Sequence, residues 1–330
     1  MPLDPRAVSL LEMLNRIEAP RLEEQPLEFA RRNFQKLMFA YRPDAPAVAS
    51  VEDIMIPRRE FAGGSLRSRL YKPRNDTSGP LPVLLWLHGG GWTLGDLASY
   101  DTLCRGLCSE AQCAVLALDY RLAPENRFPA AVDDALWAFH WLVREGITLN
   151  LDAASMAIGG DSAGGNLAAV ICLMLRDASR SKPVDASGMI PCCQLLVYPI
   201  TDQTSQRASH EKYGEGHFLD RASINWFQHN YLAAESDYTD WRASPLLAKD
   251  FSGLPPTLIV TAECDPLTDD GRAYADKLAA AGVDVHYSEY AGMIHGFLTM
   301  GRLFPEAGNA IEEMARALQE AFKTGAQKGA

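Results

Sequence analysis

The sequence predicts an α/β fold, a mostly parallel sheet flanked by helices and covered by a helical cap. Three observations carry that expectation. Short apolar runs recur without polar alternation, amphipathic stripes lie between them, and one long interval of aromatic, partly helical content interrupts the pattern. Continuous apolar runs suit strands buried on both faces of a parallel sheet. Strand alternating with helix builds such a sheet through right-handed crossovers.

From the N-terminus, residues 1–49 belong to no strand system. Leu27, Ala30, Phe34, Leu37, Met38 and Tyr41 recur at helical spacing and make one apolar stripe, stopped by Pro43 and Pro46. Val51–Pro57 and Leu66–Lys72 read as a strand pair joined through Gly63-Gly64-Ser65, with a loop from Asn75 to Pro80. The continuous runs come next: Val83–Leu87, Val115–Leu118, Met156–Ile158, Leu195–Val197 and Leu258–Val260, then a strand candidate at Val285–Tyr290. Leu167, Val170, Ile171, Met174 and Leu175 form a helical stripe after the third run. Ile311, Met314, Ala315, Leu318 and Phe322 form another near the end, beyond which Thr324–Ala330 is expected to fray.

The interval Thr201–Leu254 is too long for a plain connection and should carry structure of its own. It holds Tyr213, Phe218, Leu219, Ile224, Trp226, Phe227 and Tyr231. With the N-terminal helices it is expected to form a lid. The expected division is a main α/β domain over 50–200 and 245–330, with a helical cap from 1–49 and 201–244.

Composition narrows the function classes. The 330 residues are 47% hydrophobic and 22% charged, enough for one large core and too apolar for disorder. A formal charge of −11 with no Lys/Arg run argues against nucleic acid and against anionic membrane surfaces. No apolar run reaches the length of a membrane span, and the first residues lack the pattern of a signal peptide, so a cytoplasmic location is expected. The seven cysteines, Cys104, Cys108, Cys113, Cys172, Cys192, Cys193 and Cys264, show no zinc-site spacing and read as free thiols. No metal and no cofactor are expected.

The chemistry concentrates in a few motifs. Gly160-Asp161-Ser162-Ala163-Gly164 lies between a strand candidate and a helical stripe, the strand–turn–helix setting in which a serine is projected from a strained turn. A serine hydroxyl needs a base. His140 lies on a predicted helix, His210, His217 and His229 in the long interval, His286 within a strand, and His88 before glycines with another task. His295 stands in Ala291–Phe297, a loop after the last strand candidate, and is the base expected from position and chain order.

The orienting acid should leave the sheet between them. Asp265 and Glu263 both follow Leu258–Val260, with Asp269 and Asp270 behind as first-turn helix carboxylates. Asp265 is the better placed, because Pro266 fixes the backbone after it. His88-Gly89-Gly90-Gly91-Trp92 follows the Val83–Leu87 strand as a loop able to turn N–H groups toward a developing oxyanion.

With these residues in hand, the chain resembles the hormone-sensitive-lipase-like carboxylesterases of the α/β-hydrolase superfamily. The resemblance spans most of residues 50–325. It rests on His88-Gly89-Gly90-Gly91, Asp119-Tyr120-Arg121-Leu122-Ala123-Pro124-Glu125, Gly160-Asp161-Ser162-Ala163-Gly164-Gly165, Asp265-Pro266-Leu267 and His295-Gly296-Phe297. It implies Ser162, Asp265 and His295 as a triad, with oxyanion donors at Gly90, Gly91 and Ala163. It also implies short- to medium-chain acyl esters as small-molecule substrates, no metal, often a homodimer, and a structural brace at Tyr120–Glu125. Trp92, Tyr198, Phe218 and Leu219 are candidate pocket walls, or alternatively packing between lid and body. An amidase or peptidase with the same machinery, and a non-catalytic small-molecule receptor, stay open at this level.

Overall fold

A computed structural model describes residues 3–17, 20–58, 64–74, 79–181 and 189–328. The expected turn at Gly63 and most of the loop from Asn75 therefore fall outside the described residues, although Gly64 is described. Among the described residues eight strands make one sheet: β1 Ser50–Pro57, β2 Ser65–Lys72, β3 Leu81–Leu87, β4 Ala114–Asp119, β5 Leu151–Asp161, β6 Gln194–Val197, β7 Thr257–Cys264 and β8 Val285–Ile294. Their order is β1-β2-β4-β3-β5-β6-β7-β8. β1 and β2 pair antiparallel, as does β2 with β4, and every other pair is parallel.

The apolar runs are buried on both faces for the reason the sequence suggested. Along β3, Val83, Leu85 and Leu87 join one core cluster while Leu84 and Trp86 join the other, following the two-residue period of a strand. The first cluster lies under α4 (Ala130–Glu145), α5 (Ala163–Ser181) and α8 (Thr268–Ala280). The second lies under α3 (Asp101–Ala111) and α9 (Glu306–Lys328). α9 continues to Lys328, into the stretch Thr324–Ala330 expected to fray.

Two groups of helices stand outside this sandwich. α1 (Pro5–Arg16) and α2 (Leu27–Tyr41) come from the N-terminus; Asp4 caps α1 by accepting from the Arg6 N–H at 2.8 Å. α6 (Ala208–Lys212) and α7 (Arg221–Tyr231) come from the long interval; Asp220 caps α7 through the Ser223 N–H at 2.7 Å. No helix among the described residues is long and apolar enough to cross a membrane.

Candidate active site

Loops at the carboxyl ends of β5, β7 and β8 converge on one point, where ligands bind in open α/β sheets. Ser162 occupies the turn between β5 and α5 with φ of 54°, a left-handed conformation. Its N–H donates to the Val197 carbonyl at 2.8 Å, tying the turn to β6. A Cβ on Gly164 would collide with the Leu87 carbonyl, so only glycine lets α5 start this close to β3.

Asp265 follows β7 and is fully buried. One carboxylate oxygen accepts the Leu267 N–H at 2.8 Å and the other lies 2.7 Å from His295 Nδ1. His295 Nε2 lies 3.0 Å from Ser162 Oγ. A ring that donates Nδ1–H to the carboxylate presents the Nε2 lone pair to the hydroxyl, the tautomer a general base needs.

The rival acids have other partners. Glu263 Oε2 accepts the Gly292 N–H at 2.8 Å and so fastens the segment that leads to His295. Asp269 and Asp270 do stand in the first turn of α8, but they do more than meet the helix dipole. Asp269 accepts the Ser209 N–H at 2.8 Å. Buried Asp270 lies 3.2 Å from Arg207 Nε and 3.1 Å from His210 Nε2, and burial raises its pKa above the ordinary carboxyl value. Together they fix the long interval to α8.

Gly90, Gly91 and Ala163 line the same cavity as Ser162 and His295. Its volume is about 1260 Å³, and Phe34, Leu37 and Tyr41 of α2 and Phe227 of α7 form part of its wall. The four pocket candidates also line it. Trp92 is stacked face to face on Tyr231 of α7 with centroids 4.1 Å apart, so it packs body against helix as well. Tyr198 is fully buried with its ring centroid 4.5 Å from that of His295. Four of the six described non-glycine residues with left-handed φ are Trp92, Ser162, Tyr198 and Phe218, all on this cavity. Strained backbone gathers where a fold holds a functional geometry.

The Tyr120–Glu125 segment braces the glycine loop. Tyr120 Oη donates to the His88 carbonyl at 2.7 Å, and the Ala123 N–H donates to the Trp92 carbonyl at 2.8 Å. Sequence reasoning missed two further contributors. Arg31 on α2 donates to the carbonyls of Thr93 at 2.9 Å and Ala123 at 3.0 Å, and to Glu125. Asp161 reaches the loop through its side chain, but the G-x-S-x-G pattern leaves its position unspecified and so gave it no role of its own. Among the described residues no group of three or more His, Cys, Asp or Glu is placed to hold a metal.

A family model for the alpha/beta hydrolase fold matches residues 84–299. The ethyl acetate hydrolase of Pseudomonas putida is 38% identical over 97% of this chain and 99% of its own length. The carboxylic ester hydrolase LipN of Mycobacterium tuberculosis is 41% identical over 88% of this chain and 75% of its own. Among solved structures, an ester hydrolase from the Lake Arreo metagenome, complexed with a bipyridine phosphonate derivative, superposes with a TM-score of 0.89. It is 38% identical, with 99% of this chain and 100% of that one covered. The Pyrobaculum calidifontis esterase gives 0.85 at 35% identity, with 97% and 99% covered.

Proposed function

Because this chain belongs to the α/β-hydrolase family, among its hormone-sensitive-lipase-like carboxylesterases, and hydrolyses carboxylic esters, we propose that Ser162 is its nucleophile, His295 its general base and Asp265 the acid that orients the base. The observation that carries the assignment is one hydrogen-bonded line, Asp265 to His295 at 2.7 Å and His295 to Ser162 at 3.0 Å.

The chemistry follows from that line. Ser162 Oγ attacks the ester carbonyl while His295 Nε2 takes its proton, and buried Asp265 stabilises the imidazolium that forms. The carbonyl oxygen becomes an oxyanion, received by N–H groups of Gly90, Gly91 and Ala163, the last at the positive N-terminus of α5. His295 then protonates the departing alcohol, leaving an acyl-enzyme on Ser162. Water, activated by His295 in turn, releases the acid and restores the serine.

The substrates are small esters with short to medium acyl chains. The Pseudomonas putida relative is named for an acetate ester, and the cavity wall is largely apolar. Residues 1–49 and 201–244 act as the cap over residues 50–200 and 245–330, since α1, α2 and α7 contribute cavity wall above Ser162.

Labelling with a fluorophosphonate, followed by peptide mass mapping, tests the assignment. The label should fall on Ser162, and Ser162→Ala and His295→Ala should each lose nearly all p-nitrophenyl ester turnover while staying folded. More than a few per cent of activity in Ser162→Ala, or a label elsewhere, would reject the nucleophile.

A further inference from the structure

Asp161 ends β5, directly before Ser162, and is buried at 3% exposure. Its Oδ1 accepts the Gly89 N–H at 2.8 Å and its Oδ2 accepts the Tyr100 O–H at 3.0 Å. A Cβ on Gly89 would collide with the carboxylate, so the glycine loop lies directly against it. We propose that Asp161 is a positioning residue whose carboxylate aims the N–H groups of the His88–Gly91 loop at the substrate carbonyl oxygen. The proposal rests on the preceding assignment of Ser162 and of the glycine loop.

Planarity of the peptide group supplies the argument. The unit between His88 and Gly89 is held at both ends, its C=O by Tyr120 Oη at 2.7 Å and its N–H by Asp161. Held at two opposite points, that plane cannot swing. The next unit, between Gly89 and Gly90, has its C=O 2.7 Å from His88 Nδ1, which donates to it. Carbonyl and N–H point in opposite directions across a trans peptide, so the Gly90 N–H is turned away from His88, and Gly90 and Gly91 border the Ser162 cavity. Without the Asp161 contact the first plane loses one of its two anchors, and the second plane hangs from the first.

Packing alone does not account for a carboxylate here. Burying an ionised acid is unfavourable unless its partners need it. A main-chain N–H can only donate, and an ionised carboxylate meets it with the strongest acceptor a side chain offers. Burial pushes the Asp161 carboxyl up to about 6, while its hydrogen bonds to Tyr100 and to the Gly89 N–H favour the charged form.

The test compares Asp161→Ala, Asp161→Asn and Tyr100→Phe with the unmodified enzyme, reading kcat and KM on p-nitrophenyl esters and the rate of Ser162 phosphonylation. Ala removes the acceptor that meets the Gly89 N–H, whereas Asn keeps the shape and an oxygen for it. A mis-aimed oxyanion loop should lower kcat and phosphonylation together by about tenfold or more in Asp161→Ala, with KM within about twofold, because loss of a whole donor costs about 10²–10³. Asp161→Asn should recover most of that loss. Tyr100→Phe, which removes one contact to the carboxylate, should shift the same parameters the same way as Ala by a smaller factor. If kcat and phosphonylation stay within about twofold in both Asp161→Ala and Tyr100→Phe, the positioning role is wrong. If Asp161→Ala fails to fold, Tyr100→Phe decides alone by the same criterion. Failure of the unmodified enzyme to be labelled at Ser162 would overturn the nucleophile itself, a different outcome from equal labelling rates across the variants.

Discussion

The Phe227 ring of α7 lies directly over Gly91, so close that a Cβ on the glycine would collide with its Cδ1 and Cγ. One proposed oxyanion residue thus lies directly against a residue of α7. Gly91→Ala should lower kcat by about 10²–10³, the scale of losing one donor. Its φ of 58° adds a left-handed penalty of roughly 1–2 kcal/mol to the collision. Adding Phe227→Ala removes the collision and leaves the backbone penalty, so the double variant should recover part of the loss. Steady-state kinetics on the unmodified enzyme, the two single variants and the double variant check this; a double variant no better than Gly91→Ala refutes the contact as the cause.

Asp265 and Glu263 are two residues apart and should behave very differently. Asp265→Asn leaves the geometry but favours the wrong imidazole tautomer, and kcat should fall by about 10⁴, as in the serine-protease template. Glu263→Gln keeps an oxygen for the Gly292 N–H and should cost less than about tenfold. A reversed ranking in kcat would reassign the acid.

Chain-length preference tests the proposed cap. Each buried acyl methylene gains about 0.8 kcal/mol until the chain meets a wall, where overpacking costs about 1–3 kcal/mol. Turnover should peak near about four to six acyl carbons, an expectation from that pocket logic. Deleting residues 1–40 removes the Phe34 and Leu37 wall and the Arg31 contacts to Thr93, Ala123 and Glu125. Activity should drop and the preference flatten. A p-nitrophenyl ester series measures both; an unchanged profile in the truncated enzyme would separate these helices from the pocket.

Asp161 should cost stability in return for its role. Its folded pKa, raised from 3.8 to about 6 chiefly by desolvation, means the folded state holds this proton more tightly than the unfolded chain. Ionisation therefore destabilises the fold as pH rises from about 4 through about 6, by about 3 kcal/mol at 1.36 kcal/mol per pH unit. The groups facing it are Tyr100, Tyr120 and Tyr198, whose hydroxyls burial keeps neutral, and His295, whose positive form would favour the charge. Asp161→Asn removes the ionisation, so its Tm relative to the unmodified enzyme should rise between about pH 4 and about pH 7. Thermal melts across that range check it, and a constant or falling difference contradicts a raised carboxyl.

Much of the molecule is legible in one dimension because its signals are local. The doubly buried strands show as continuous apolar runs, and the helices as stripes. Ser162, Asp265 and His295 stand out because each lies on a turn that leaves a strand, and the distances of 2.7 and 3.0 Å then bring those turns together. Boundaries are less legible. β8 runs on to Ile294, where the residues Ala291–Ile294 read as loop, because a register shift between Ala262 and Cys264 lets the strand continue beside β7.

What the sequence by itself determined is the fold class, and it named the residues proposed to carry acyl transfer, since periodicity and motif chemistry are properties of neighbours along the chain. Only the tertiary structure decided how those residues are supported. Arg31 meets Glu125, Phe227 covers Gly91, and Asp161 reaches Gly89 across the sheet. None of these partners is a sequence neighbour, and each contact exists because separate elements are packed at a fixed distance. A charge or ring has no direction in a linear sequence; packing gives it one.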